Sequence, residues 1–176
     1  VHPTDPDVVL SAGTSGASFE KMRNKQPEQG IYRTVNGGRS WQKVHQAGFY
    51  RQQARGSLFA YDSRTLGQPE ITVYAGTYSP GLLKSVDSGA RWVEPGFREP
   101  NIHEIVELPG KPGHFLVATH NGLFSYNESG EKAVLGAGLP DWPRSVAAVT
   151  ASPGVVLAAV GKHGVYKSTD YGKTFE

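Results

Sequence analysis

The sequence predicts an all-β chain built from about four repeats of one four-stranded antiparallel unit, and three observations predict it. First, one phrase recurs: Gly30-Ile-Tyr-Arg-Thr-Val-Asn-Gly-Gly-Arg-Ser-Trp41 returns as Gly81-Leu-Leu-Lys-Ser-Val-Asp-Ser-Gly-Ala-Arg-Trp92 and as Gly164-Val-Tyr-Lys-Ser-Thr-Asp-Tyr-Gly-Lys-Thr-Phe175. A worn copy runs Gly122-Leu-Phe-Ser-Tyr-Asn-Glu-Ser-Gly130. The opening glycines stand at 30, 81, 122 and 164, steps of 51, 41 and 42 residues. Second, each phrase follows a short apolar or β-branched run: 8–14, 71–77, 114–120 and 155–161. Third, glycine is 22 of 176 residues, close to twice the average share of about 7%, with 12 prolines punctuating the runs. A fixed period of this length marks units that bury their apolar faces only against one another.

The strands follow in order. Runs 57–61, 103–108 and 145–150 supply a first, innermost strand (A) for the second to fourth units. The runs before each phrase supply strand B; Ala12, Ala75, Ala118 and Ala159 are read as one small position in it, suited to close packing between sheets. The phrase itself supplies strands C and D around a tight turn. Four strands every 40 to 50 residues is the pattern of a β-propeller blade. A β-sandwich would not repeat a turn phrase at near-fixed spacing. The chain reads as a single propeller domain or fragment, with blades at roughly 1–46, 47–95, 96–136 and 137–176. It is expected to be part of a larger propeller or to be completed by another chain; a small ring closed by pairing its two ends is the competing reading. A long B–C loop spans 15–29.

Composition narrows the function. A formal net charge of +2 without a Lys/Arg block argues against nucleic acid. No cysteine means no disulfide, thiolate metal site or cysteine nucleophile. No run reaches the roughly 18 apolar residues of a membrane span. No phosphate loop, catalytic triad or metal motif is present, so neither a metal nor a cofactor is expected.

The phrase resembles the Asp-box, or BNR repeat, Ser/Thr-x-Asp/Asn-x-Gly-x-Thr/Ser-Trp/Phe. Thr34, Asn36, Gly38, Ser40 and Trp41 fit it, as do Ser168, Asp170, Gly172, Thr174 and Phe175. Ser85, Asp87, Gly89 and Trp92 fit with Arg91 in place of a hydroxyl residue; the third copy keeps Ser125 and Asn127 but has one extra residue before Gly130 and no aromatic. An Asp or Asn side chain at a turn accepts bonds from nearby backbone amides, and the glycine takes a left-handed conformation without strain. These are structural roles. The resemblance extends to sialidases, xyloglucan-cleaving glycoside hydrolases, sortilin-type receptors and photosystem II assembly factors, which share the propeller rather than one chemistry. It implies that ligands meet the face opposite the Asp-boxes.

That face is built by the B–C loops and D–A connectors. The candidate ligand or partner residues there are Arg23, Tyr50, Arg51, Arg55, Tyr78, Arg98, His120, Trp142, Arg144 and His163. His120 and His163 end equivalent strands of adjacent blades. Phe49, Phe97 and Leu139, each after a glycine, read as a repeated anchor of the D–A crossing. A glycosidase needs two carboxylates about 5–10 Å apart; the candidates are Asp141, Glu99 and Glu104, with Asp62 near the opposite end. Trp142 beside Asp141 could stack on a sugar, although between Pro140 and Pro143 it reads more simply as packing in the connector. The expected function is a non-catalytic scaffold that binds a protein or glycan, with other blades or a second copy completing the ring. The alternative is a glycoside hydrolase, sialidase-like or xyloglucanase-like, whose site lies partly outside the chain. A secreted or periplasmic bacterial location is expected.

Overall fold

The computed structural model describes residues 1–13, 28–49 and 57–176. The chain is all-β and propeller-like, with four antiparallel sheets in sequence order. Blade one contains β1 (Val8–Gly13), β2 (Gly30–Val35) and β3 (Gln42–His45); blade two contains β4 (Phe59–Tyr61), β5 (Val73–Gly76) and β6 (Leu82–Ser85). Blade three is a complete four-stranded meander of β7 (Ile102–Glu107), β8 (His114–Thr119), β9 (Gly122–Asn127) and β10 (Lys132–Leu135). Blade four has β11 (Ser145–Ala148), β12 (Val156–Val160) and β13 (Gly164–Ser168). The outer strands of blades two and four shrink to a reciprocal backbone pair, Lys84 with Val93 and Lys167 with Glu176. No strand of blade one pairs with a strand of blade four among the described residues. No helix of the described residues is long and apolar enough to cross a membrane.

Strand register decides which residues face which neighbour. One residue past each phrase-opening glycine stand Ile31, Leu82, Leu123 and Val165; the first three join the core shared with the following blade. Two residues past it, Leu83 and Phe124 lie in the core shared with the preceding blade, and Tyr166 packs against such a core. The cross-strand partners of the first set are Ala12, Gly76, Ala118 and Ala159. The recurring small position is therefore Gly76 in blade two, and Ala75 lies one residue off on the opposite face. Its size has a local cause: a Cβ at Gly76 would stand 2.4 Å from Cγ2 of Ile102 in blade three.

Three apolar seams result. The first unites Leu10, Ile31 and Phe49 with Leu58, Val73, Leu83 and Trp92. The second is aromatic: Tyr74 lies 4.6 Å from Phe115, and Phe97 lies 5.5 Å from Tyr126 and 5.8 Å from Phe124, ring centre to ring centre. The third joins Leu116, Ala118 and Leu123 to Val146, Val156, Ala158 and Phe175. Phe49 and Phe97 are buried, one in the first seam and one in the second, and Leu139 packs against the third, so they anchor the crossings.

The turn phrases act as clamps. Ser85 Oγ donates to Asp87 Oδ1 (2.8 Å) and accepts from Gly89 N (2.9 Å), while Asp87 Oδ1 accepts from Arg91 N (2.8 Å). Thr34 and Asn36, and Ser168 and Asp170, repeat this geometry. The turn glycines Gly38, Gly89 and Gly172 sit at φ of 87°, 85° and 84°, the left-handed region. In the third copy Asn127 still accepts from the amide four residues on, Glu131 N (3.0 Å), but the hydroxyl bonded to it is that of Ser129 (2.7 Å), not Ser125. Gly122 and Gly130 are spaced like their counterparts, so this copy has no extra residue; its serine and asparagine come one position early. In blades two and four the aromatic after the clamp enters the seam with the preceding blade: Trp92 is 7% and Phe175 8% exposed. Trp41, in blade one, is 45% exposed.

Each seam also carries a cation that reaches the next blade's turn. Arg33 Nε donates to Ser88 O (3.0 Å), Lys84 pairs with Glu128 (3.3 Å), and Lys111 Nζ stands 3.7 Å over the ring of Tyr171.

Candidate functional site

On the expected ligand face, a cluster of side chains gathers at the seam between blades three and four. β7 begins with an irregularity: Ile102 pairs with Thr119 and Glu104 with Ala118, so His103 is an extra residue in the ladder. Such bulges re-aim a side chain. His103 stacks on Trp142 of the following connector, with ring centres 4.8 Å apart and planes within 16°. His120, after β8, lies 4.5 Å from the same indole, and the Arg144 guanidinium stands 4.4 Å from it. Trp142 is thus half-buried in a stack of two imidazoles from blade three and a guanidinium from its own connector.

Beside the stack opens a cleft of about 330 Å³, lined by His120, Asn121, Leu123, Leu139, Asp141 and Trp142 among others. This is at the small end of ligand pockets, which run from about 300 to 1,000 Å³. Asp141 is exposed, and its Oδ1 accepts from Trp142 N (2.8 Å). Asn121 Nδ2 donates to Glu99 Oε2 (2.9 Å), and Glu99 also pairs with Lys132. The Asn121 amide and the Lys132 ammonium hold the Glu99 carboxyl below the usual carboxylate range. Lys132 Nζ in turn lies 4.5 Å over Phe124.

Glu104 has a different position. It is 8% exposed, and its carboxylate accepts from three groups: Ser57 N (3.2 Å) at Oε1, and Ser145 Oγ (2.7 Å) and Val146 N (2.8 Å) at Oε2. One side chain on the inner strand of blade three therefore ties the starts of the inner strands of blades two and four. Asp62, at the opposite end of blade two, caps the short 3-10 turn 63–65 and pairs with Arg64 (2.6 Å).

The candidate residues separate accordingly. The structure brings together His120, Trp142, Arg144 and Asp141, with Glu99 one hydrogen bond behind Asn121. It does not bring in His163, exposed on the turn Gly161–His163, nor the exposed Arg98. The neighbour of His120 is His103, not His163. The Tyr78 backbone ties two connectors: its N–H donates to Gly48 O (2.8 Å) and its carbonyl accepts from Asn101 N (3.0 Å). Arg23, Tyr50, Arg51 and Arg55 lie outside the described residues. Sequence reasoning missed His103 and Asn121 as site residues. A bulge leaves no mark in a periodicity, and Asn121 reads as an ordinary turn residue before Gly122.

No family model matches the chain, and no curated protein matches it. Solved structures do. A GH74 enzyme of Niastella koreensis superposes over 100% of this chain and 28% of its own, with a TM-score of 0.70 at 14% identity. The GH74 xyloglucanase of Xanthomonas campestris covers 100% of this chain and 29% of its own, at a TM-score of 0.65 and 19% identity. An ancestral GH74 enzyme covers 99% of this chain and 23% of its own, at 0.63 and 20%. The chain spans about a quarter of the length of these enzymes, and at this identity the likeness is one of fold: the four blades have the architecture of a stretch of propeller-like glycoside hydrolases.

Proposed function

We propose that the chain is a non-catalytic propeller scaffold of the Asp-box type, whose cleft between blades three and four takes a glycan. One observation carries this reading. Of the three candidate carboxylates, Glu104 is spent on three structural hydrogen bonds and Glu99 on Asn121 and Lys132, which leaves Asp141 as the one that lines the cleft. Glycosidic hydrolysis by the common route takes two. The cleft offers instead an amide and a carboxylate, groups that hydrogen-bond sugar hydroxyls, beside the Trp142 indole, whose ring is already stacked on His103. The fold shared with a xyloglucanase makes a β-glucan-type polysaccharide the first ligand to try, and a secreted or periplasmic site of action goes with it.

The second reading, a glycoside hydrolase with part of its site elsewhere, is favoured by those same neighbours. Xyloglucan and fluorogenic glycosides separate the two. The expected result is binding of xyloglucan oligosaccharides, weakened about tenfold or more by Asn121→Ala, with no hydrolysis above the blank. Hydrolysis that disappears in Asp141→Asn or Glu99→Gln would make the chain an enzyme. Absence of any oligosaccharide binding would direct the search to a protein partner.

A further inference from the structure

Two asparagines of the chain precede a glycine, Asn36 and Asn121. Such a pair is chemically labile. The backbone nitrogen of the second residue can attack the side-chain carboxamide of the first, and a glycine there has no Cβ to hinder the approach. In a folded chain the rate depends on whether the carboxamide can turn onto that nitrogen, since ring closure needs the reacting atoms in line and close together. The two pairs stand in very different surroundings.

Asn36 is locked. Its Oδ1 accepts from Thr34 Oγ1 (2.8 Å) and Ser40 N (3.0 Å), and its Nδ2 donates to Ser40 Oγ (2.8 Å). The attacking group is held as well, because Gly37 N donates to Asp7 O (3.0 Å). Ring closure at Asn36 would dismantle the turn clamp of blade one. Asn121 is exposed, at the tip of the hairpin from β8 to β9. Its carboxamide makes one hydrogen bond among the described residues, from Nδ2 to Glu99 Oε2 (2.9 Å). A Cβ on Gly122 would meet nothing within 4 Å, so no neighbour crowds the tip.

We propose that Asn121 is a site of spontaneous deamidation, and that Asn36 is spared. Gly122 N gives its proton to solvent and bonds to Asn121 Cγ. The Cγ–Nδ2 bond breaks, and the nitrogen takes a proton from solvent and leaves as ammonia. Water then opens the cyclic imide at either carbonyl, which leaves an aspartate or an isoaspartate at 121. The product changes the cleft. The amide there becomes an acid, and the bond to Glu99 gives way to two carboxylates that repel each other. Loss of glycan binding follows, a consequence that rests on the ligand reading; the modification itself does not.

The test holds the purified protein at mildly alkaline pH and body temperature, samples it over weeks, and reads the exchange of NH2 for OH at each asparagine by mass spectrometry of the digested peptides. A parallel sample unfolded in guanidinium chloride gives the intrinsic rates, which are expected to be similar at the two sites. In the folded protein Asn36 is expected to react about tenfold or more slowly than Asn121, because its bonds must break first. Glu99→Ala, which frees the Asn121 amide, is expected to speed that site about threefold; an unchanged rate would remove Glu99 as its restraint. Equal rates at the two sites of the folded protein overturn the proposal. So does an Asn121 that stays intact while the unfolded chain is fully converted. Binding of xyloglucan oligosaccharides keeps the two readings apart. Fresh protein that binds and aged protein that does not supports both. Fresh protein that fails to bind overturns the ligand reading and leaves the modification standing, and aged protein that binds like fresh protein overturns the consequence for the cleft.

Discussion

Replacing Glu104 separates a structural carboxylate from a catalytic one. Its oxygens receive two backbone amides and a hydroxyl at 3.2, 2.8 and 2.7 Å, from blade two on one side and blade four on the other. A net hydrogen bond to a charged acceptor contributes about 1.5–3 kcal/mol, and a buried donor left without a partner costs about 1–3 kcal/mol. Glu104→Ala strands the Ser57 and Val146 amides and leaves a void, while the Ser145 hydroxyl can turn to water. The two stranded amides set the scale, a loss of about 3 kcal/mol. For a domain of this size that is a drop in Tm of about 6–12 °C. Glu104→Gln keeps the shape but turns an NH2 group toward one set of donors, and about half the loss is expected. Urea and thermal melts followed by circular dichroism measure both. A Glu104→Ala protein within about 1 kcal/mol of wild type would refute the clamp. If the Gln variant instead kept full stability while abolishing a measured glycosidase activity, the residue would belong to chemistry.

Two further predictions concern the turns and the close approach of blades. The Asp170 carboxyl, held by the Thr174 amide and hydroxyl and the Ser168 hydroxyl, lies at about 2. Burial opposes ionisation of Asp87, but the Arg91 side chain and amide and the Ser85 hydroxyl outweigh it and bring this carboxyl to about 2 as well. Both are depressed, so their stabilisation is full above about pH 4, the ordinary carboxylate range, and is lost as pH falls from there toward 2. For Asp87 the shift at full strength is worth about 2 kcal/mol, and solvent screening of the exposed Arg91 brings it to about 1. Urea midpoints at pH 5, 3 and 2 should fall across that window, with Asp62 and Glu99 shifted in the same direction. Asp87→Asn should flatten the fall, and an unaltered slope would refute the assignment. Gly76→Ala drives a methyl to 2.4 Å from Ile102 and should destabilise by about 1–3 kcal/mol; Gly48→Ala, at a glycine whose φ is likewise not positive and where a Cβ would meet nothing nearer than 3.5 Å, is the control without the clash.

The architecture was legible because the phrase repeats. Trp92 and Phe175 read as wedges from type and spacing alone, and they are buried as wedges. What escaped the sequence was register. Ala75 looks like the equivalent of Ala12 and Ala118, yet the backbone pairing that puts Gly76 opposite Leu82 moves the small position by one. Ser125 looks like the clamp of the third turn, yet Ser129 serves, because β9 pairs directly with β10 up to Tyr126 and Lys132 and the turn is shorter. A strand exposes opposite faces at alternate residues, so a slip of one exchanges inside for outside. The site was harder to read for a similar reason. Glu104 appeared as a candidate acid because its three partners come from positions 57, 145 and 146, more than forty residues away on either side. No local pattern records such a convergence.

The cations at the three seams bear on how a repeated sequence keeps its order. Units so alike invite pairing with the wrong neighbour, a common failure of repeat proteins. Here each joint is keyed differently. The first sets a guanidinium on a backbone carbonyl, the second an ammonium on a carboxylate, and the third an ammonium on a phenol ring. A blade docked on the wrong neighbour would leave Glu128 without its lysine, or Tyr171 without its cation, and would set the aromatic surface of the second seam against a largely aliphatic one. The apolar seams supply adhesion common to all blades. The polar key at each joint supplies the address, so that one fold repeated four times still assembles in one sequence.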